Sequence, residues 1–399
     1  MKLLYLIADG MGDWPLDELG GKTPMEAAHT PNMDELAKTG VVGRAQTVPE
    51  GMAPGSDVAN MALLGFDPAE YHTGRGPIEA AAQGLDLNPD DLVWRLNLVT
   101  VSKLTIDGHM RDYSSGHIAT EVSAPIVNAL QEKLGNDMYT FYPGVQYRHL
   151  LVQHGGALTD DAHLLVSPPH DITDKPIKPD LRAFSKSPFL WDLVFEAKEV
   201  LDDRRINPSR ANTIWPWGQG RPLILPDFKE KFGLEGAVIS AVDLIKGLGN
   251  ASNMAVIDVE GATGLLDTNY QGKVDAALSF LEDNDFVFVH LEGPDECGHG
   301  GVAADKVEAV SRFDAQVVGP LREALKGRET AWIVTCDHFT PIAERTHTRD
   351  AVPFILNGPG CEPSGISSFS ERTADATGLK LDKGHELLAF ALQKFGMKQ

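Results

Sequence analysis

Six side chains able to bind cations stand just after apolar stretches of the chain. Asp9 ends the run Lys2–Ala8 (KLLYLIA). Asp295 and His299 follow the run Asp285–Leu291 (DFVFVHL), within GPDECGHGG. Asp337 and His338 end the run Ala331–Cys336 (AWIVTC), within TCDHFTP, and His347 follows in THTRDAVPF. Carboxylate oxygens and imidazole nitrogens are the donors that zinc, manganese and similar first-row ions take. Singly, each piece has a plainer explanation. An Asp after a strand serves as a turn or N-cap residue. An Asp and a His four apart can be two solvated residues on one helical turn. The joint occurrence, all after buried-strand patterns, favours the metal reading.

A nucleophile candidate lies in Pro54-Gly55-Ser56-Asp57, just before the helical apolar pattern Val58–Leu64. Ser56 falls in the N-cap region, where free N–H groups and the helix dipole favour an anion. On its own that position suggests a capping serine. Beside a metal ion the hydroxyl becomes a nucleophile, because the ion lowers its pKa.

These residues need a scaffold that gathers strand ends. The apolar runs, together with Val352–Leu356 (VPFIL), suit strands buried on both faces of a parallel sheet. Helical stretches such as Asp305–Leu325 lie between them, which predicts an α/β sheet. Ligand sites in such sheets lie beyond the carboxyl ends of the strands, so one edge can gather all six residues. The middle of the chain reads differently. It has short β-like pieces (Val93–Val101, Met138–Phe141, His149–Val152), frequent Pro and Gly, and one helix over Phe189–Leu201. We read residues 1–83 and 220–399 as the core and 84–219 as an inserted, smaller α+β domain. A length of 399 residues suits two domains.

Composition narrows the partners. The net charge of −22 disfavours nucleic acid and anionic membranes, and an anionic substrate needs local positive charge that bound metals would supply. No apolar run approaches the ~20 residues that span a bilayer. Met1–Ala8 is read as a first strand rather than a targeting segment, and three cysteines make a disulfide framework implausible, so a cytoplasmic protein is expected. Other motifs fail. Gly20-Gly21-Lys22-Thr23 lacks the first P-loop glycine, Gly247-Leu248-Gly249 lacks the third dinucleotide glycine, and no GxSxG elbow exists. Cys297 and Cys336 sit beside proposed ligands, yet strand alternation points Cys336 away from the side of Asp337. The run Trp215-Pro216-Trp217 is assigned to packing.

The chain resembles the archaeal-type 2,3-bisphosphoglycerate-independent phosphoglycerate mutases of the alkaline phosphatase superfamily. The resemblance rests on ADGMGD, GGKTPMEAAHTPNMDELA, PGSDVANMALLGFDP, YHTGRGPIEAA, ATGLLDTNYQGK, PDECGHGG and CDHFTP, and covers nearly the whole length. It implies an alkaline-phosphatase-like, mainly parallel sheet flanked by helices. It also implies two divalent ions, with Mn²⁺, Mg²⁺, Zn²⁺ and Co²⁺ all open. One would be held by Asp9, Ser56, Asp337 and His338, and the other by Asp295, His299 and His347. Ser56 would carry the phosphoryl group of a small phosphorylated metabolite. In the insertion, Asp112, Ser115 and His117 of DYSSGH and Arg148 match substrate-binding segments, and Lys246 and Arg75 are further candidates. Arg75 equally suits a structural ion pair. One segment departs from the pattern: NTIWPWGQG (Asn212–Gly220) stands where many archaeal members carry an arginine. A bacterial branch with a similar segment has been proposed to act as homoserine kinases. The leading expectation is therefore interconversion of 3- and 2-phosphoglycerate. A homoserine kinase-like phosphotransferase using ATP, a phosphomonoesterase and a non-catalytic phosphate-binding protein are the alternatives.

Overall fold

The computed structural model describes residues 1–397. In chain order its strands are β1 (Lys2–Ala8), β2 (Val41–Ala45), β3 (Leu92–Val101), β4 (Met110–Asp112), β5 (Tyr139–Tyr142), β6 (Arg148–Gln153), β7 (Thr213–Gly220), β8 (Gly236–Ile239), β9 (Ala255–Ile257), β10 (Phe286–Leu291), β11 (Thr330–Thr335), β12 (Val352–Asn357) and β13 (Lys380–Leu381). The chain divides into two compact units, Met1–His72 with Ile224–Gln399, and Thr73–Leu223.

The first unit is built on an eight-stranded sheet in the order β13-β2-β12-β11-β1-β10-β8-β9. β1 runs parallel to both β10 and β11. Leu3 to Ala8 of β1 are fully buried, as are Phe286, Val287, Phe288 and Val289 of β10. That two-faced burial is what the continuous apolar runs encode, since helices cover both sides of a parallel sheet. β12 departs from the parallel pattern, pairing antiparallel with β11 and β2. The helical stretch after Asp305 forms as Ala303–Phe313, a five-residue π-turn at Asp314–Val318, and Gly319–Ala324.

The second unit has a five-stranded antiparallel sheet centred on β3, which pairs with β4, β6 and β7. Helices Thr120–Leu134 and Pro188–Asp202 pack against each other, and Leu130, Leu193, Val194, Trp94 and Trp215 share their core. Among the described residues no helix is long and apolar enough to cross a membrane.

Candidate metal centre and nucleophile

The parallel register fixes which strand ends meet. Ile7 of β1 faces Thr335 of β11 on one side and His290 of β10 on the other. The residues just beyond therefore emerge together: Asp9 after β1, Asp337 after β11, and the helix Gly293–Gly300, with Asp295 and His299, after β10. Gly10 closes the first turn with φ +61°, and its N–H donates to Asp337 Oδ1 at 3.0 Å. A Cβ at Gly10 would lie 2.6 Å from Asp295 Oδ1, so the close approach of the two acidic loops requires glycine there.

Ser56 is the first residue of helix Ser56–Leu63, and Gly55, not Ser56, takes the N-cap position. Its side chain is thus free of the capping role, and Oγ lies 3.2 Å from His338 Nε2. One turn later Asn60 donates to Asp337 Oδ2 at 2.7 Å and to the Ser56 carbonyl at 2.9 Å. This amide ties the nucleophile's helix to the carboxylate loop.

The acidic and imidazole side chains form two adjoining groups, Asp9 with His290 and Asp337, and Asp295 with His338 and His347. Within each, the ligand atoms lie within 4.8 Å of one another. His338 touches both, with Nε2 3.4 Å from Asp9 Oδ1 and from Asp337 Oδ2 and its ring 4.1 Å from that of His347. His299 adjoins the second group through Nε2, 3.2 Å from Asp295 Oδ2 and 3.0 Å from His347 Nε2. All seven residues read from the sequence as ligands or nucleophile thus converge. Three partners were not legible: His290, Asn60 and Thr340, whose hydroxyl donates to Asp295 Oδ1. Only His290 left a signal, a polar residue inside the run FVFVHL.

The charges are strained without a cation. Burial pushes the Asp9 carboxyl well above its usual range, and the charges of Asp337 and Asp295 push the same way. Burial acts upward on Asp295 too, but its contacts with His299 and His347 hold it well below the usual range. The Asp295 hydrogen bond lifts His299 to about 9. Burial lowers His338, and lowers His290 to about 4. Glu292 rises to about 8 through burial and the charges of Glu296 and Asp295. Among the described residues, both Asp9 carboxylate oxygens and His290 Nε2 are buried without a hydrogen-bond partner. Such groups are costly unless something compensates them, and carboxylate with imidazole suits a first-row divalent ion. The residues present therefore fit metal binding. The cysteines fit it less well: burial raises the Cys297 thiol to about 11 and lifts Cys336 further, away from the ligating thiolate.

The remaining candidates are divided between the two units. Lys246, in the first unit, pairs with Asp258 at 2.6 Å. The others belong to the second unit. Asp112 accepts from Ser114 N, Ser114 Oγ and Gly116 N; burial works upward on its carboxyl, but these donors outweigh it and lower the pKa. Ser115 and His117 both take positive φ in the loop so held, and Ser115 Oγ donates to the Leu98 carbonyl. The His117 ring lies edge-on to Tyr113 and Tyr147, and the Arg148 guanidinium lies over Tyr147. Arg75 opens the helix Arg75–Ala82, and its charge, after burial and alongside Arg95, helps lower the pKa of His170. The WPWGQG segment forms β7 and turns its side chains inward. Trp217 Nε1 donates to Asn97, Trp215 Nε1 to the Ser167 carbonyl, and Gln219 to the carbonyls of Asp161 and Leu164.

Residues 37–207 match the family model described as 2,3-bisphosphoglycerate-independent phosphoglycerate mutase. A probable enzyme of that name from Geobacter sulfurreducens is 44% identical, over 99% of this chain and all of its own length. One from Methanothrix thermoacetophila is 45% identical, over 97% of this chain and 98% of its own. Among solved structures, a Pyrococcus horikoshii protein superposes with a TM-score of 0.83 at 30% identity, covering 100% of this chain and 98% of that one. The cofactor-independent phosphoglycerate mutase of Thermoplasma acidophilum gives 0.67 at 27% identity, covering 98% and 99%. Full-length identity to the curated relatives, together with the site at the strand ends, makes this chain a member of the 2,3-bisphosphoglycerate-independent phosphoglycerate mutase family.

Proposed function

We propose that the protein interconverts 3-phosphoglycerate and 2-phosphoglycerate through a phosphoserine at Ser56, with no need of 2,3-bisphosphoglycerate. The observation that carries this reading is Ser56 Oγ at a helix N-terminus, beside His338 and a buried carboxylate cluster in which both Asp9 oxygens lack a hydrogen-bond partner among the described residues. Two divalent ions would be held by Asp9, Ser56, Asp337 and His338, and by Asp295, His299 and His347. When bound they supply positive charge against the phosphoryl oxygens and favour the ionised serine.

The first helical N–H groups after Gly55 add a fixed anion-binding edge at the same point. Ser56 Oγ bonds to phosphorus in line as the bond to the 3-oxygen of glycerate breaks, and the proton lost by the serine hydroxyl balances the one gained by that oxygen. The 2-hydroxyl of the retained glycerate then bonds to the same phosphorus, and the Ser56 ester breaks. No phosphoryl group or electron is left over. Asn60 keeps Asp337 and the Ser56 helix in register through both steps. In this reading the second unit supplies substrate contacts from Arg75, Asp112, Ser115, His117 and Arg148, with Lys246 from the first. It also keeps water from the phosphoenzyme, which would otherwise hydrolyse. A cytoplasmic setting agrees with three unpaired cysteines.

The test is direct. Purified protein given 3-phosphoglycerate and Mn²⁺, without ATP or 2,3-bisphosphoglycerate, should produce 2-phosphoglycerate. Mass spectrometry of the quenched reaction should find phosphate on Ser56. Phosphorylation of homoserine from ATP with no isomerisation would overturn the proposal.

A further inference from the structure

The histidine of β10 lies outside the ligand set that the sequence and the family resemblance supply. His290 is fully buried, as is Asp9. Its Nε2 lies 3.0 Å from Asp9 Oδ2, yet among the described residues neither atom has a hydrogen-bond partner. An approach of this length without a hydrogen bond has another natural meaning. Two donor atoms at right angles on one ion, with bonds of about 2.1 Å, are themselves about 3 Å apart. Asp337 offers a third donor atom to the same small group.

The rest of the imidazole is held as a ligand's would be. His290 Nδ1 lies 3.2 Å from Ser240 Oγ, which also takes the Val242 N–H at 3.0 Å. With Nδ1–H donated to Ser240, the Nε2 lone pair is free to face a cation; metal-binding histidines commonly fix their tautomer in this way. The backbone is pinned as well, because the buried Lys273 donates to the His290 carbonyl at 2.9 Å.

Resting on the two-cation reading above, we propose that His290 Nε2 is a direct ligand, with Asp9 and Asp337, of one of the two ions. The consequence is selectivity. An imidazole among the carboxylates favours Mn²⁺, Zn²⁺ or Co²⁺ over Mg²⁺, which prefers oxygen.

Full-length protein labelled with ¹⁵N at histidine and loaded with ¹¹³Cd²⁺ tests this by nuclear magnetic resonance. Directly bonded nitrogens should be found on His290 as well as on His299, His338 and His347. Calorimetric titration with Mn²⁺ gives an independent readout. His290→Gln keeps an N–H able to donate to Asp9 but removes the imidazole, and should weaken one Mn²⁺ site by about 100-fold while sparing the other. Two cadmium ions bound with no coupling to His290, or two Mn²⁺ sites of unchanged affinity in the variant, would overturn this inference alone. Wild-type protein that takes up neither ion would overturn the two-cation reading with it. If His290→Gln fails to fold, the cadmium couplings of the wild type still decide.

Discussion

Two buried charge clusters occupy the same unit, only a few residues apart in sequence, and they are built on opposite plans. Around Lys306 everything is matched. Its ammonium donates to the Gly12 and Thr340 carbonyls and to Asp13 Oδ2. Asp13 Oδ1 takes the Trp14 N–H, and Oδ2 also takes the Ile342 N–H. Glu371 accepts from Asp13 N and Thr23 Oγ1. Around Asp9 the opposite holds: three carboxylates crowd together, and among the described residues both Asp9 oxygens lack a hydrogen-bond partner. A satisfied buried network supports a fold. An unsatisfied one persists only where something else completes it, which is why the Asp9 cluster reads as a site and the Lys306 cluster as its footing.

The sharpest way to separate the two is to cut each. Ser56→Ala should lower turnover by at least about 10³-fold, since in the proposed mechanism the phosphoryl group rests on Ser56 Oγ. Asp9→Asn should do the same by weakening metal binding. Its stability should move the other way. In chelator, Asp9→Asn should be no less stable than wild type, because the change relieves repulsion with Asp337 and Asp295. Added Mn²⁺ should raise the denaturation midpoint of wild type but hardly that of the variant. A large loss of metal-free stability in Asp9→Asn would erase the contrast.

Cutting the matched cluster should show in folding first. Lys306→Met leaves Asp13 charged, buried and unpaired, and strips a donor from two carbonyls. The expected cost is about 3–5 kcal/mol, read from urea unfolding. Adding Asp13→Asn should recover part of that loss, since the amide still accepts a hydrogen bond but carries no charge. A double variant as unstable as the single one would mean that the two carbonyls, not the ion pair, set the cost.

Legibility differed between regions for physical reasons. The core strands could be read because burial on both faces writes an unbroken apolar run, and the residue ending such a run is placed by the sheet. That gave Asp9, Asp337 and the Asp295 loop. His290 was hidden because a histidine within such a run looks like strand interior, and its closeness to Asp9 depends on register between strands nearly 300 residues apart in sequence. Ser56 was read only as lying in the N-cap region, whereas it is the first helical residue, because glycine at the cap leaves no side-chain signal. In the second unit β7 was unreadable as a strand. Pro216, Gly218 and Gly220 are breakers by type, and they are tolerated because, among the described residues, β7 pairs only with β3, across a bulge. Its tryptophans were assigned to packing, and their indole donors are spent inside that unit. The Asp112 loop and Arg148 carry no pattern of their own and were nominated only through the family resemblance.

Even the matched cluster has one weak member, and it gives the smallest and most specific test of the comparison. Burial lifts Glu371 from an ordinary value of 4.5 to about 7, against the pull of its two hydrogen-bond donors and Lys306. A carboxyl raised on folding holds a proton that the unfolded chain has already lost. Its contribution to stability is therefore complete below pH 4.5 and declines as pH rises, until it is gone above about pH 7. A shift of this size corresponds to something on the order of 3 kcal/mol across the window. Glu371→Gln has no proton to lose there. The stability of the variant minus that of wild type should accordingly climb between pH 4.5 and 7 and level off above it, as followed by urea midpoints at several pH values. Metal-site groups titrate in both proteins alike, so the difference isolates Glu371. Parallel pH curves would mean that Lys306 and the two donors keep Glu371 ionised at neutral pH. The footing would then be matched at every member, and the contrast with the Asp9 cluster would be sharper still.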